Sequence, residues 1–195
     1  MRYLVLYCHP EPKSFNHAVL EAVLEELRAL GQEVAVRDLY QMGFSPILRS
    51  VDLARLAAGE VPEDIKAEQD AVRAADCLIF IFPVWWSGMP AMLKGYIDRV
   101  FAAGFAMAPG PEGPRGLLGG KRALIINTTA SPEAFYKQSG LDDRLEDNLA
   151  GSVLRFCGIT VAAHKVCWGV PFSNEQDRGA MLAEVRELVR AEASR

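Results

Sequence analysis

The sequence predicts an α/β fold, a five-stranded parallel sheet of order 2-1-3-4-5 in a three-layer sandwich with helices on both faces. Three observations predict it. Apolar runs of strand length alternate with stretches of helical spacing along the whole chain. Those runs are almost continuously apolar, as in Leu78-Ile79-Phe80-Ile81-Phe82, which is the pattern of strands buried on both faces. The 195 residues suffice for one core and are too few for two, so residues 1–195 are expected to form a single domain. Right-handed crossovers leave few ways to wind such a chain, and the order above opens a crevice between the first and third strands.

The elements follow in turn. Tyr3 to Cys8 is the first strand, and Phe15 to Leu30 carries apolar residues at helical spacing before Gly31. Glu33 to Leu39 alternates as a second strand, and Val61 to Ala75 reads as an amphipathic helix with Pro62 near its start. Cys77 to Phe82 is the third strand. Pro90 then opens a helix whose apolar positions are Met92, Leu93, Tyr96, Ile97, Val100 and Phe101. Gly104 to Gly120 reads as the one long loop, and Ala123 to Thr129 as the fourth strand. Asp142 to Cys157 is a helix stopped by Gly158, Ile159 to Trp168 a fifth strand, and Asn174 to Ala193 a closing helix capped by Ser173 or Asn174.

Bulk properties narrow the function classes. The formal net charge of −4 gives no footprint for nucleic acid or an anionic membrane. No apolar run approaches the roughly 18 residues that span a bilayer, so no membrane insertion is expected. The opening MRYLVLYCHP reads as a strand rather than an export signal, and a cytoplasmic location is expected. Cys8, Cys77, Cys157 and Cys167 lack CxxC spacing and lie in apolar surroundings, as reduced structural cysteines do. His9, His17 and His164 are too scattered in sequence to suggest a metal centre.

The densest functional signal lies between Phe80 and Phe101. The third strand is broken at Pro83, and Trp85 and Trp86 follow in a short loop at the carboxyl end of a strand, where open α/β sheets bind ligands. Two indoles there offer flat apolar surface and two N–H donors, which suits a planar aromatic cofactor; packing against neighbouring helices is the alternative. The loop after the first strand leads into a helix with Ser14 as cap, a ready phosphate site to which His9, Ser14 and Asn16 can add donors. After the fourth strand, Thr128 and Thr129 sit where the strand ends, and Tyr136 follows. GxGxxG and GxxxxGK are absent, so a dinucleotide fingerprint of the usual kind and a nucleotide-triphosphate loop are not expected.

On these residues the chain resembles the flavin-dependent NAD(P)H:quinone oxidoreductases of the flavodoxin-like superfamily. The segments that carry the resemblance are HPEPKSFNHA (9–18), DLYQMGFSPI (38–47), DIKAEQDAVRAADCLIFIFP (64–83), FPVWWSGMPAMLKGYIDRVF (82–101), LLGGKRALIINTT (117–129) and LRFCGI (154–159), in the family's order. The resemblance implies a flavin, FAD or FMN, whose phosphate region lies near His9, Ser14, Phe15, Asn16 and Ala18. It implies an isoalloxazine ring against Pro83, Val84, Trp85, Trp86 and Ser87, with Thr128, Thr129 and Tyr136 on a third contacting loop and Tyr136 as the polar group nearest the chemistry. It implies NADH or NADPH as donor, a quinone-like acceptor, two-electron ping-pong reduction and a homodimer in which Gly104 to Gly120 and Phe105 help to wall the partner's site. Two positions depart from the family. Ala130-Ser131 stands where some relatives carry Gly-Gly, and Asp142 stands where they carry a histidine paired with the tyrosine, so no Tyr/His pair carries over. Two other classes remain open, a flavodoxin-type electron carrier and a regulatory flavoprotein subunit of a potassium-efflux system. An acyl hydrolase is disfavoured because no GxSxG elbow occurs.

Overall fold

A computed structural model describes residues 1–195, the side chain of Glu146 excepted. Five parallel strands, β1 (Arg2–Tyr7), β2 (Glu33–Asp38), β3 (Cys77–Pro83), β6 (Arg122–Thr128) and β7 (Thr160–Cys167), form one sheet in the order β2-β1-β3-β6-β7. This is the expected 2-1-3-4-5 winding. The loop expected over residues 104–120 folds back as a small antiparallel ribbon, β4 (Met107–Ala108) with β5 (Arg115–Gly116). Around the main sheet lie α1 (Phe15–Ala29), α2 (Ser50–Ala57), α3 (Glu63–Ala74), α4 (Ala91–Val100), α5 (Glu133–Ser139), α6 (Asp142–Glu146) and α7 (Glu175–Ala193).

The alternating faces of β3 explain the three layers. Leu78, Phe80 and Phe82 point into a core shared with Leu93, Tyr96 and Val100 of α4 and Val72 of α3. Cys77, Ile79 and Ile81 point the other way, against Val19, Val23 and Leu27 of α1 and Val185 and Val189 of α7. Each of these large side chains, fully buried, contributes about 1.5–3 kcal/mol. α1 starts where Ser14 accepts a hydrogen bond from His17 N–H, and α7 where Asn174 and Asp177 form a reciprocal capping box. Beyond α6, residues Asp147–Arg155 continue with the wider i→i+5 winding of a π-helix, and the helix expected over 142–157 thus changes pitch midway.

Besides the β4–β5 ribbon, three elements were not foreseen. α2, α5 and the 3₁₀ turn Val170–Phe172 are short, and short elements leave little periodicity to read. The segment after β2 is fastened to α4 instead. A Cβ on Gly95 would lie 2.1 Å from Pro46 O, so only glycine admits this approach. Nearby, buried Arg99 donates to Ser45 O (3.0 Å), pairs with Asp64 (2.7 Å) and Asp52 (3.5 Å), and lies over the Phe44 ring. Among the described residues, no helix is long and apolar enough to cross a membrane, and no three His, Cys, Asp or Glu side chains are grouped to hold a metal ion. The four cysteines are free and buried, and burial pushes the thiols of Cys8 and Cys77 up to about 12, which keeps them inert.

The Arg99 junction generates a prediction. Partial burial pushes the Asp64 carboxyl up, but the hydrogen bond and charge of Arg99 outweigh it and leave the group below its usual range. A depressed carboxylate stabilises the fold above its unfolded pKa, and that contribution fades as the pH falls through the folded value. Arg99→Ala leaves the buried Asp52 carboxylate unpaired, which lowers stability at pH 7 by about 3–5 kcal/mol, and loss of the half-exposed Asp64 pair flattens the acid limb of the stability–pH curve. Urea unfolding from pH 3 to 7 checks both, and curves parallel to those of the wild type would refute the junction's role.

Candidate active site

Because all five strands run in parallel, their carboxyl ends share one edge of the sheet, and there the loops after β1, β3, β6 and β7 meet. They enclose a cleft of about 180 Å³ lined by His9, Ser14, Phe15, Asn16, Pro83, Val84, Trp85, Thr128, Thr129, Ala130, Val170 and Pro171. Nine of these are among the candidate site residues named from sequence. Val170, Pro171 and Ala130 were missed, and the signal for the first two was the expectation itself that strand ends converge, applied one strand further.

The first wall is the start of α1. Ser14 O accepts from His17 N–H (3.0 Å) and Ala18 N–H (3.3 Å), whereas the N–H groups of Phe15 and Asn16 take no part in these bonds. Asn16 is buried and donates from Nδ2 to Thr128 Oγ1 (2.7 Å), a bond spanning 112 residues of sequence. Its Oδ1 is buried without a hydrogen-bond partner. A buried carbonyl oxygen left bare costs about 1–3 kcal/mol, which marks it as an acceptor waiting for a donor. Thr128 Oγ1, having accepted from Asn16, keeps its own O–H to donate. His9 packs its ring against Trp85 (6.1 Å between centroids). Burial lowers its pKa, and Glu11 N–H donates to Nδ1 (3.0 Å, the shorter of two contacts with that backbone), so the neutral ring carries its proton on Nε2.

The second wall is the loop after β3. Val84 N–H donates to Thr128 O (2.8 Å), and Trp85 and Gly88 exchange both backbone bonds at 3.0 Å. Trp86 and Ser87 form the two central residues of this tight turn, with φ of 52° and 58°. That is the left-handed geometry of a type I′ turn, normally built from Asn and Gly. Each L side chain held there costs about 1–2 kcal/mol. As a result the tryptophans part company. Trp85 lines the cleft, Trp86 projects fully into solvent, and Ser87 faces a small separate cavity with Gly88, Asn127 and Asn148.

The third wall comes from β6. The Thr129 hydroxyl donates to Ser131 O (2.8 Å) and accepts from Gly169 N–H (3.2 Å), while Val170 N–H donates to Thr129 O (3.0 Å). Thr129 therefore staples the β6 and β7 loops together rather than offering its hydroxyl to the cleft. Tyr136 lies on α5, not in a loop, and packs against Trp168 (5.1 Å) in a cluster with Val84 and Leu145. It is not among the cleft-lining residues, but its hydroxyl makes no hydrogen bond to a described residue, and burial raises its pKa, so the phenol stays protonated. Ala18 sits one turn inside α1, behind the lining. Phe105, expected to wall a neighbouring subunit's site, instead lies in this chain's own core beneath the Arg73 guanidinium (5.2 Å) because the β4–β5 ribbon folds it inward.

The strained turn makes a direct prediction. Ser87→Gly removes one left-handed side chain and raises Tm by about 2–4 °C in a protein of this size. Differential scanning calorimetry decides it, and an unchanged or lower Tm contradicts the turn geometry.

Comparison with known proteins agrees with this architecture. The family described as having a flavodoxin-like fold matches residues 1–189. An NAD(P)H oxidoreductase of Haemophilus influenzae is 34% identical over 183 residues, covering 93% of this chain and 91% of the relative. The ribosyldihydronicotinamide dehydrogenase (quinone) of Mus musculus is 34% identical over 202 residues, covering 93% and 87%. Among solved structures, the NAD(P)H:quinone oxidoreductase of Methanothermobacter marburgensis superposes with a TM-score of 0.85 at 29% identity, over 97% of this chain and 94% of that one. Sheet order, strand-end cleft and these matches together show that the chain belongs to the flavodoxin-like NAD(P)H:quinone oxidoreductase family.

Proposed function

We propose that this protein is a flavin-dependent NAD(P)H oxidoreductase that reduces quinones or similar aromatic acceptors by two-electron ping-pong transfer, acting as a cytoplasmic homodimer. The observation that carries the reading is the bare, buried Oδ1 of Asn16 beside the open N–H groups at the start of α1. A flavin fits this donor set. The N–H groups of Phe15 and Asn16 at the positive end of α1 would hold its phosphate, and Asn16 Oδ1 and the Thr128 hydroxyl would meet the polar groups of its side chain. Pro83, Val84 and Trp85 supply the flat apolar wall, and the N–H groups of Trp86 and Ser87 are the ones the turn leaves over for the ring's polar edge.

When bound, the flavin supplies hydride acceptance from NAD(P)H and electron delivery to the acceptor. The protein's part is to orient, to exclude water and to stabilise charge. Trp85 and the Val170-Pro171 turn screen the cleft from both sides. Tyr136, which shares a cluster with the cleft residue Val84 and keeps a protonated hydroxyl, is assigned as the polar group that would stabilise charge developing at the reacting centre. Neutral His9 donates from Nε2 without adding a charge. The choice between FAD and FMN is tested by the same titration that tests the reading.

Purified protein is expected to be yellow and to oxidise NADH or NADPH in the presence of a quinone, with parallel double-reciprocal lines. A colourless chain that takes up neither FMN nor FAD overturns the proposal, and a yellow one without NAD(P)H oxidation favours an electron carrier. Asn16→Ala is expected to weaken flavin binding about tenfold, since it removes one acceptor and one donor. Tyr136→Phe should leave flavin affinity unchanged and lower kcat about fivefold. Flavin fluorescence titration and stopped-flow kinetics measure these two effects. Gel filtration with full activity in a monomer peak would contradict the dimer.

A further inference from the structure

Beneath the cleft, three adjacent strands are tied by side chains in a way that the flavin reading above leaves unused. Asn127 lies on β6 opposite Phe82 of β3, and it is buried. Phe82 O can only accept, so the amide nitrogen of Asn127 faces it and Nδ2 donates (3.3 Å). That orientation leaves Oδ1 for His164 of β7, whose Nε2 lies 2.6 Å away and therefore donates. The bonds run His164 to Asn127 to Phe82, across β7, β6 and β3.

Their position is what matters. Phe82 comes one residue before the wall Pro83–Trp85, and Asn127 one residue before Thr128 and Thr129 of the facing wall. The backbone pairing of β3 with β6 runs on past Pro83, since Val84 N–H donates to Thr128 O (2.8 Å), so the side-chain bonds lie directly beneath its last rung. Asn127 also lines the small cavity under the strained turn, together with Ser87, Gly88 and Asn148. None of the three tied residues lines the cleft.

We propose that Asn127, oriented by His164, is a positioning residue for the flavin, setting the spacing between the β3 and β6 walls that hold the ring. The proposal rests on the flavin reading. Its test is titration of flavin-free protein with FMN and with FAD, alongside thermal unfolding of the same samples, for wild type, Asn127→Leu, His164→Leu, His164→Gln and the double leucine variant. Asn127→Leu and His164→Leu are each expected to weaken binding about tenfold and to alter the visible circular dichroism of the bound flavin. The double variant is expected to be no weaker than either single one, because the bonds form one chain. His164→Gln restores an N–H donor and is expected to bind within about twofold of wild type. Asn127→Leu that binds with wild-type affinity and dichroism overturns the positioning role alone. So does His164→Gln as weak as His164→Leu, which reduces the effect to packing. A wild-type chain that binds neither flavin overturns the underlying reading as well.

Discussion

The burial of β3 on both faces, in parallel register between β1 and β6, is the constraint from which the rest of the molecule takes its geometry. Tyr7 pairs with Ile81, Pro83 with Thr128, and Thr128 with Cys167, so the four chain segments that leave the sheet here do so at one level. Side chains alternate with a period of two, and a slip of one residue in β3 would drive Phe80 and Phe82 out of one core and Ile79 and Ile81 out of the other. The cleft thus inherits its dimensions from core packing that has nothing to do with ligand. The junction at Arg99 and Gly95 serves the same end by pinning the segment after β2 to α4, away from the cleft.

Several departures from favourable local structure gather at the cleft. Trp86 and Ser87 occupy left-handed backbone that their side chains disfavour, and Asn16 keeps a buried oxygen bare. These penalties are about 1–3 kcal/mol each, small beside the burial of a seven-residue strand at 1.5–3 kcal/mol for each large side chain. Their concentration at one edge of the sheet is the pattern expected of a binding site, while away from it Arg99 Nε is also buried without a hydrogen-bond partner, beside the Asp52 carboxylate. The wider winding of Asp147–Arg155 adds to this, since it places Asn148 and Leu149 against the small cavity beneath the same turn.

Much of this could be read before the structure. Strand order and core faces follow from Leu78 to Phe82 and its counterparts, because continuous apolar runs have one stable place in an α/β sheet. The cap at Ser14 follows from residue type alone, and that of the last helix was narrowed to Ser173 or Asn174, of which the structure uses Asn174. The short elements escaped, the β4–β5 ribbon among them, since eight residues or fewer carry too little periodicity. Tyr136 was read as a loop residue and lies on a helix, and Phe105 was read as an interface aromatic and lies in the core. In both cases hydrophobicity was visible and direction was not. The paired tryptophans are the sharpest case: adjacent in sequence, they point to opposite fates because the turn between them reverses the chain.

By itself, then, the sequence determined which segments are strands, which of their faces are buried, and at which edge of the sheet the strand-end cleft would open. Those properties depend on periodicity within a few residues and on the handedness of every crossover. Only the tertiary structure decided which side chains meet there. Asn16 reaches Thr128 across 112 positions, and His164 reaches Asn127 across 37. Such contacts depend on sheet register and connection geometry, quantities to which every strand contributes and which no local stretch of residues encodes.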